Sequence, residues 1–274
     1  MNPDALAWNQ HGWELGNQGR FAAALAAFDK ALALEPRFAL AQSNRSWILG
    51  SLGRFVEALA AVDQALELDP NLALAWSNKG WVHYNLKQWN EALAAFDRAL
   101  AVEKTHPLAW KNKFNLLQQL GRHPEAASTA FVVGNAFLVE QGKFAEALEA
   151  YQDTLQLAPN HNAAWNNKGW AHENLQQWNE ALAAYDRALE LEKTDSYAWR
   201  NKANLLNQRG RSVEAADTAS AVGYALDEQG KYAEALEAYQ RALELNPNHA
   251  LTWNNKGWTH ENLQQWDEAL AAYD

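Results

Sequence analysis

Among the side chains able to carry chemistry, this 274-residue sequence holds eight histidines, 33 carboxylates and 14 tryptophans. Histidine beside carboxylate is the raw material of metal ligation and of general acid–base catalysis. His172-Glu173 and His260-Glu261 read as the first half of a His-Glu-x-x-His string, in which two imidazoles one helical turn apart hold one zinc ion. The second histidine is absent from both, with Gln176 and Gln264 in its place. His83, His172 and His260 occur at one repeated place and are expected to be packing residues. A Gly-x-Ser-x-Gly string, a phosphate-binding loop ending in Lys-Ser/Thr and a dinucleotide fingerprint are all missing, and there is no cysteine. The sequence therefore nominates no catalytic residue, no metal ligand and no cofactor, and the chain reads as non-enzymatic.

The other chemistry on offer is recognition. Asn44, Asn78 and Asn112 stand 34 residues apart, Asn167 and Asn201 repeat that step, and Asn255 continues the series. A carboxamide has an acceptor and two donors, so a column of them can pair with both N–H and C=O of an extended peptide without reading its side chains. The alternative is that each asparagine bonds a neighbouring helix. Three places after these asparagines come Trp47, Trp81, Trp170 and Trp258, with Trp13 preceding them and Asn115 and Asn204 interrupting. Tryptophan buries much area at little rotamer cost, which suits a binding anchor, and it suits packing between helices equally well.

Such columns need a periodic scaffold. Ala24, Ala58, Ala92 and Ala126 are spaced by 34, Ala147 follows after 21, Ala181 and Ala215 resume the period, Ala235 follows after 20, and Ala269 after 34. Trp76 to Trp110 and Trp165 to Trp199 show the same step, while Trp110 to Trp165 and Trp199 to Trp253 are 55 and 54. Both markers locate the same two shortened units in a solenoid. Within a unit, apolar residues recur at three and four, so each unit holds two helices. Glycine at the joint, as in Gly19-Arg20 and Gly53-Arg54, and proline after the second helix, as at Pro36, Pro70, Pro159 and Pro247, punctuate them. In the shortened units, residues 124 to 141 and 213 to 229 contain no turn signal and are each expected to form one long helix.

Trp8, Gly12, Ala24, Phe28 and Pro36 form a pattern that resembles the tetratricopeptide repeat (TPR) family. The resemblance covers essentially the whole chain in seven full or nearly full units and two shortened ones. It implies an all-α fold, an α-solenoid or superhelix of helical hairpins. Gln42 and Ser46 replace the expected Trp and Gly, and Lys104 and Lys193 stand where Pro is expected. The family places the first helix of each hairpin on the inside of a curved groove and binds peptides there. By that resemblance Asn44, Asn78, Asn112, Asn167, Asn201, Asn255, Trp47, Trp81, Trp170 and Trp258 are the peptide-binding candidates. Some members clamp a C-terminal carboxylate with lysine and asparagine; here Trp13, Trp47 or Trp81 and Leu74 or Leu108 occupy those places, which disfavours that ligand.

A formal net charge of -10 repels phosphate backbones and anionic lipid, so neither nucleic acid nor a membrane is an expected partner. No stretch reaches the length of a membrane span and no basic-then-apolar leader opens the chain, so a cytoplasmic location is expected. The organisation expected is a single array over 5–274, with four regular repeats at 5–121, a fused helix and repeats at 122–211, and a second fused helix and a truncated repeat at 212–274. The function expected is a scaffold that binds a protein or peptide partner. Two alternatives stand beside it: the regulatory region of a larger enzyme or signalling protein, and a solenoid that self-associates end to end through the flank near Trp258, Leu263 and Trp266.

Overall fold

A computed structural model describes residues 2–139 and 142–274. The described residues form sixteen α-helices and no strand. They cluster into two compact units, Met1–Ala136 and Phe137–Asp274.

In the first unit the hairpins are α1 (Pro3–Asn17) with α2 (Phe21–Leu34), α3 (Ala39–Ser51) with α4 (Phe55–Leu68), and α5 (Ala73–Asn85) with α6 (Trp89–Val102). They are followed by α7 (Pro107–Gln119) and by α8 (His123–Val139), in which the unit ends. The second unit holds α9 (Phe144–Leu157), α10 (Asn162–Asn174), α11 (Trp178–Leu191), α12 (Ser196–Gln208), α13 (Ser212–Glu228), α14 (Tyr232–Leu245), α15 (Ala250–Asn262) and α16 (Trp266–Tyr273). The two stretches without a turn signal are single helices of 17 residues, α8 and α13. Gln141, the last residue of the first expected long helix, lies outside the described residues.

Each hairpin closes where a small residue lets two helices meet. A Cβ built on Gly80 would sit 2.6 Å from the ring of Phe96, and one on Gly169 2.6 Å from Tyr185, closer than carbon atoms pack. Ala24 and Ala92 are fully buried on the opposite helices. The glycine of α13 performs the same service, since a Cβ on Gly223 would meet Tyr239 of α14 at 2.5 Å. The second half of α13 is thus the first helix of a hairpin with α14, while its first half, through Ala215, Ala216 and Ala219, closes the core around Trp199 and Leu206 of α12. Repeat-to-repeat ion pairs join a second helix to the next first helix: Asp29 with Arg45 at 2.7 Å, Asp63 with Lys79 at 2.7 Å, Asp97 with Lys113 at 2.6 Å and Asp186 with Lys202 at 2.5 Å. Their exposed carboxylates make them weak contributors to stability.

Within the first unit, successive first helices touch each other, α1 with α3, α3 with α5 and α5 with α7, whereas successive second helices form no comparable contact. The same holds in the second unit for α10 with α12 and α13 with α15. Helices that converge on one side and diverge on the other curve the stack, so in each unit the first helices line the inner face.

Candidate functional site

In each unit the inner face is built from one register of the first helices. In α1 it reads Leu6, Gln10, Trp13, Asn17; in α3 Leu40, Asn44, Trp47, Ser51; in α5 Leu74, Asn78, Trp81, Asn85; in α7 Leu108, Asn112, Asn115, Gln119. In the second unit the same places hold Ala163, Asn167, Trp170, Asn174 in α10, Tyr197, Asn201, Asn204, Gln208 in α12, and Leu251, Asn255, Trp258, Asn262 in α15. Steps of four, three and four keep these residues on one side of a helix. In α13 the same places, counted from Gly223, hold Asp217, Ala221, Tyr224 and Glu228; in the other first helices named none is charged, in a chain that is 20% charged overall. That contrast defines the candidate site.

Three asparagines of this face, Asn44, Asn78 and Asn201, bond the preceding first helix, whereas Asn85, Asn174 and Asn262 donate to carbonyls of their own helices and Asn204 accepts from Arg241. Asn44 Nδ2 donates to Asn9 Oδ1 at 3.0 Å, Asn78 Nδ2 donates to the Ser43 carbonyl at 3.0 Å and its hydroxyl at 3.1 Å, and Asn201 Nδ2 donates to Asn166 Oδ1 at 3.0 Å. Asn44 and Asn78 are buried, while Asn112, Asn167, Asn201 and Asn255 are half-buried. Asn167 accepts from Asn166 at 3.2 Å and bonds the hydroxyl of Tyr151. Asn255 accepts through its backbone carbonyl from Thr259 Oγ1 at 2.9 Å.

The tryptophans divide in two. Trp13, Trp170 and Trp258 are 47%, 40% and 46% exposed, and Trp170 meets Phe144 edge-on at 6.1 Å between centroids. Trp47 and Trp81 are half-buried because each lays its ring on a glycine of the preceding first helix, Gly16 and Gly50. The tryptophans that mark the repeat spacing pack between helices: Trp110 and Trp199 are buried, and Trp76, Trp165 and Trp253 donate their indole N–H to the carbonyls of Pro70, Pro159 and Pro247 at 2.8 Å. Trp266, part of the flank named above for self-association, is 64% exposed.

His83, His172 and His260 bond the side chains of Gln88, Gln177 and Gln265 across the hairpin turn, each at 2.7 Å from Nδ1. Among the described residues no group of three histidines or carboxylates is placed to hold a metal ion. No helix of the described residues is long and apolar enough to cross a membrane.

Polar clusters that the sequence reading missed sit on α13. Asp227 is buried; its Oδ2 accepts from Tyr239 and Thr259 hydroxyls at 2.7 Å each, and its Oδ1 has no partner. Burial pushes the Asp227 carboxyl above its ordinary pKa against the opposing pull of those two hydroxyls, and burial pushes the Tyr239 hydroxyl up as well. Tyr185 and Glu173 form the corresponding pair at 2.8 Å. A signal for them existed: a carboxylate stands twelve places before the tyrosine in Glu173/Tyr185, Asp227/Tyr239 and Glu261/Tyr273. Asp217, His249 and Thr252 form an Asp–His–hydroxyl array, with Asp217 Oδ1 2.8 Å from His249 Nε2 and His249 Nδ1 2.6 Å from Thr252 Oγ1. Thr252 is fully buried against Ser220, so the array offers no nucleophile to a substrate and instead ties the start of α15 to α13.

Comparison with known families agrees with this architecture. Three tetratricopeptide repeat family models match residues 9–73 and 138–197, 73–106 and 220–249, and 184–217 and 238–271. The chain belongs to the tetratricopeptide repeat family. Among solved structures it is similar to the TPR2AB domain of yeast Sti1 in complex with pHSP90, at 18% identity over 97% of this chain and 98% of that one, TM-score 0.39. It is also similar to MamA (20% identity, 72% and 96% covered, TM-score 0.39) and to YrrB, a TPR protein with an unusual peptide-binding site (22%, 82% and 95%, TM-score 0.33). Among curated proteins, none matches significantly.

Proposed function

We propose that this chain is a non-enzymatic scaffold that holds an uncharged peptide segment of a partner protein on the inner face of its first helices. The observation that carries the reading is a register that is uncharged in four first helices of the first unit and in three of the second, where α13 with Asp217 and Glu228 departs from it, in a protein with net charge -10. A face kept free of carboxylates and ammonium groups imposes no ion desolvation on an apolar ligand. Because Asn44 and Asn78 are buried and engaged by the helix behind them, contact falls chiefly to Trp13, Trp47, Trp81, Trp170 and Trp258, with Asn112, Asn167, Asn201 and Asn255 contributing polar edges.

Selection of peptides from a random displayed library on the full chain tests the reading. Bound sequences should be depleted in Asp, Glu, Lys and Arg, and hydrogen exchange in their presence should slow in α1, α3, α5, α10, α12 or α15. Peptides rich in charge, or protection confined to α2, α4, α6, α11 and α14, would overturn it.

A further inference from the structure

One cation is set into a joint between repeats without the carboxylate that its counterparts have. In four joints an aspartate of a second helix pairs with the basic residue sixteen places later on the next first helix: Asp29 with Arg45, Asp63 with Lys79, Asp97 with Lys113 and Asp186 with Lys202. Where α9 meets α10 the basic residue is Lys168, and sixteen places before it stands Gln152. Among the described residues Lys168 has no ion-pair partner, and its Nζ lies over the Trp165 ring at 4.9 Å from the centroid. The exchange recurs where α14 meets α15, as Gln240 before Lys256.

A neighbouring carboxylate holds an amine in its charged form, and burial without one does the opposite. Lys79 and Lys168 are otherwise alike. Each is half-buried, and each lies over a tryptophan ring of its own helix, Trp76 at 5.6 Å and Trp165 at 4.9 Å. The ring favours the ammonium in both places, so the aspartate is the difference between them. Burial lowers the Lys168 pKa from its ordinary value, and no charged neighbour opposes it. Only the neutral amine is a nucleophile, and an ordinary lysine, with a pKa of about 10.4, is less than about 1% neutral at about pH 8. Any lowering multiplies that small fraction.

We infer that Lys168 is an N-acylation site, open to activated acyl donors of the acyl phosphate class. The Nζ lone pair attacks the acyl carbonyl carbon, the bond from that carbon to the phosphate oxygen breaks, phosphate leaves with the electron pair, and the amine proton passes to solvent. The product is a neutral amide, which removes the cation from the joint between α9 and α10. Lys168 stands next to Asn167 but outside the inner register, so the inference is independent of what that face binds.

Acetyl phosphate added to the full chain at about pH 8, in amounts that leave most molecules unmodified, tests it. Acetylation is read lysine by lysine by peptide mass spectrometry, and each rate is divided by the rate of the same lysine in guanidinium-unfolded chain. The folded-to-unfolded ratio at Lys168 should exceed those at Lys79, Lys113 and Lys202 by about threefold or more. Lys256 should exceed them too. Gln152→Asp supplies the carboxylate and should bring Lys168 down to the paired lysines, with helical circular dichroism unchanged, while Asp63→Gln should raise Lys79. A ratio at Lys168 no higher than at the three paired lysines would overturn the assignment. Reactivity that Gln152→Asp leaves unchanged would overturn it as well, because the missing carboxylate would then not be its cause.

Discussion

Asp227 is a buried carboxylate with one oxygen satisfied twice and the other not at all. Its charged form is disfavoured by burial, so its folded pKa lies above the ordinary 3.8. A raised folded value means that stability present below the unfolded pKa is lost as pH rises through the folded pKa. Asp227→Asn keeps an acceptor for Tyr239 and Thr259 and removes the charge. The variant should therefore gain stability relative to the parent as pH rises from about 4 to 7. Urea denaturation at the two pH values measures it, and a difference between variant and parent that does not change with pH would refute the account. Tyr239 stands at the aromatic place of a second helix, and its carboxylate partner shows in the sequence only as an offset of twelve repeated at Glu173/Tyr185 and Glu261/Tyr273, which follows no helical or strand period.

At the level of helices and turns, punctuation was the readable part. Proline after α2, α4, α9 and α14 and the missing turn signal in α8 and α13 placed the helix ends and both fused helices within a few residues. What escaped was which donor each asparagine would satisfy. Asn44 and Asn9, or Asn201 and Asn166, are 35 residues apart and meet only because one repeat stacks on the next. Turns show the same limit. Gly19, Gly53 and Gly210 adopt φ of 74, 74 and 76°, as their type allows, but Lys87, Gln176 and Gln264 adopt φ of 58–59° at the equivalent place. Left-handed backbone costs a side-chain-bearing residue about 1–2 kcal/mol. Glycine would relieve that and lose about 0.4–1 kcal/mol through a freer unfolded chain. Replacing all three by glycine should raise the urea midpoint, by about 0.5 kcal/mol for each site in the repeats concerned. A lower midpoint would mean that those side chains contribute contacts stronger than the backbone strain.

Across the whole molecule, charge is sorted by face. Charge stands on both helices of the repeats, but the inner register of the first helices other than α13 carries none. This sorting makes opposite demands on two kinds of partner. A polyanion meets a repulsive surface with no compensating groove, and counterion release gives it no advantage. A neutral peptide on the inner face meets rings and carboxamides, and its affinity derives from apolar area and uncharged hydrogen bonds. Salt distinguishes the two, because raising ionic strength from about 0.1 M to 1 M shortens the screening length from about 10 Å to 3 Å and weakens only charge-dependent contacts. Peptide affinity should change less than about twofold over that range, and the apolar term should hold or strengthen slightly if sulfate replaces chloride. A fall of tenfold or more in chloride would place the ligand against charged groups, either those of the second helices or Asp217, Glu228 and the Arg241 that donates to Asn204, and away from the uncharged places of the register.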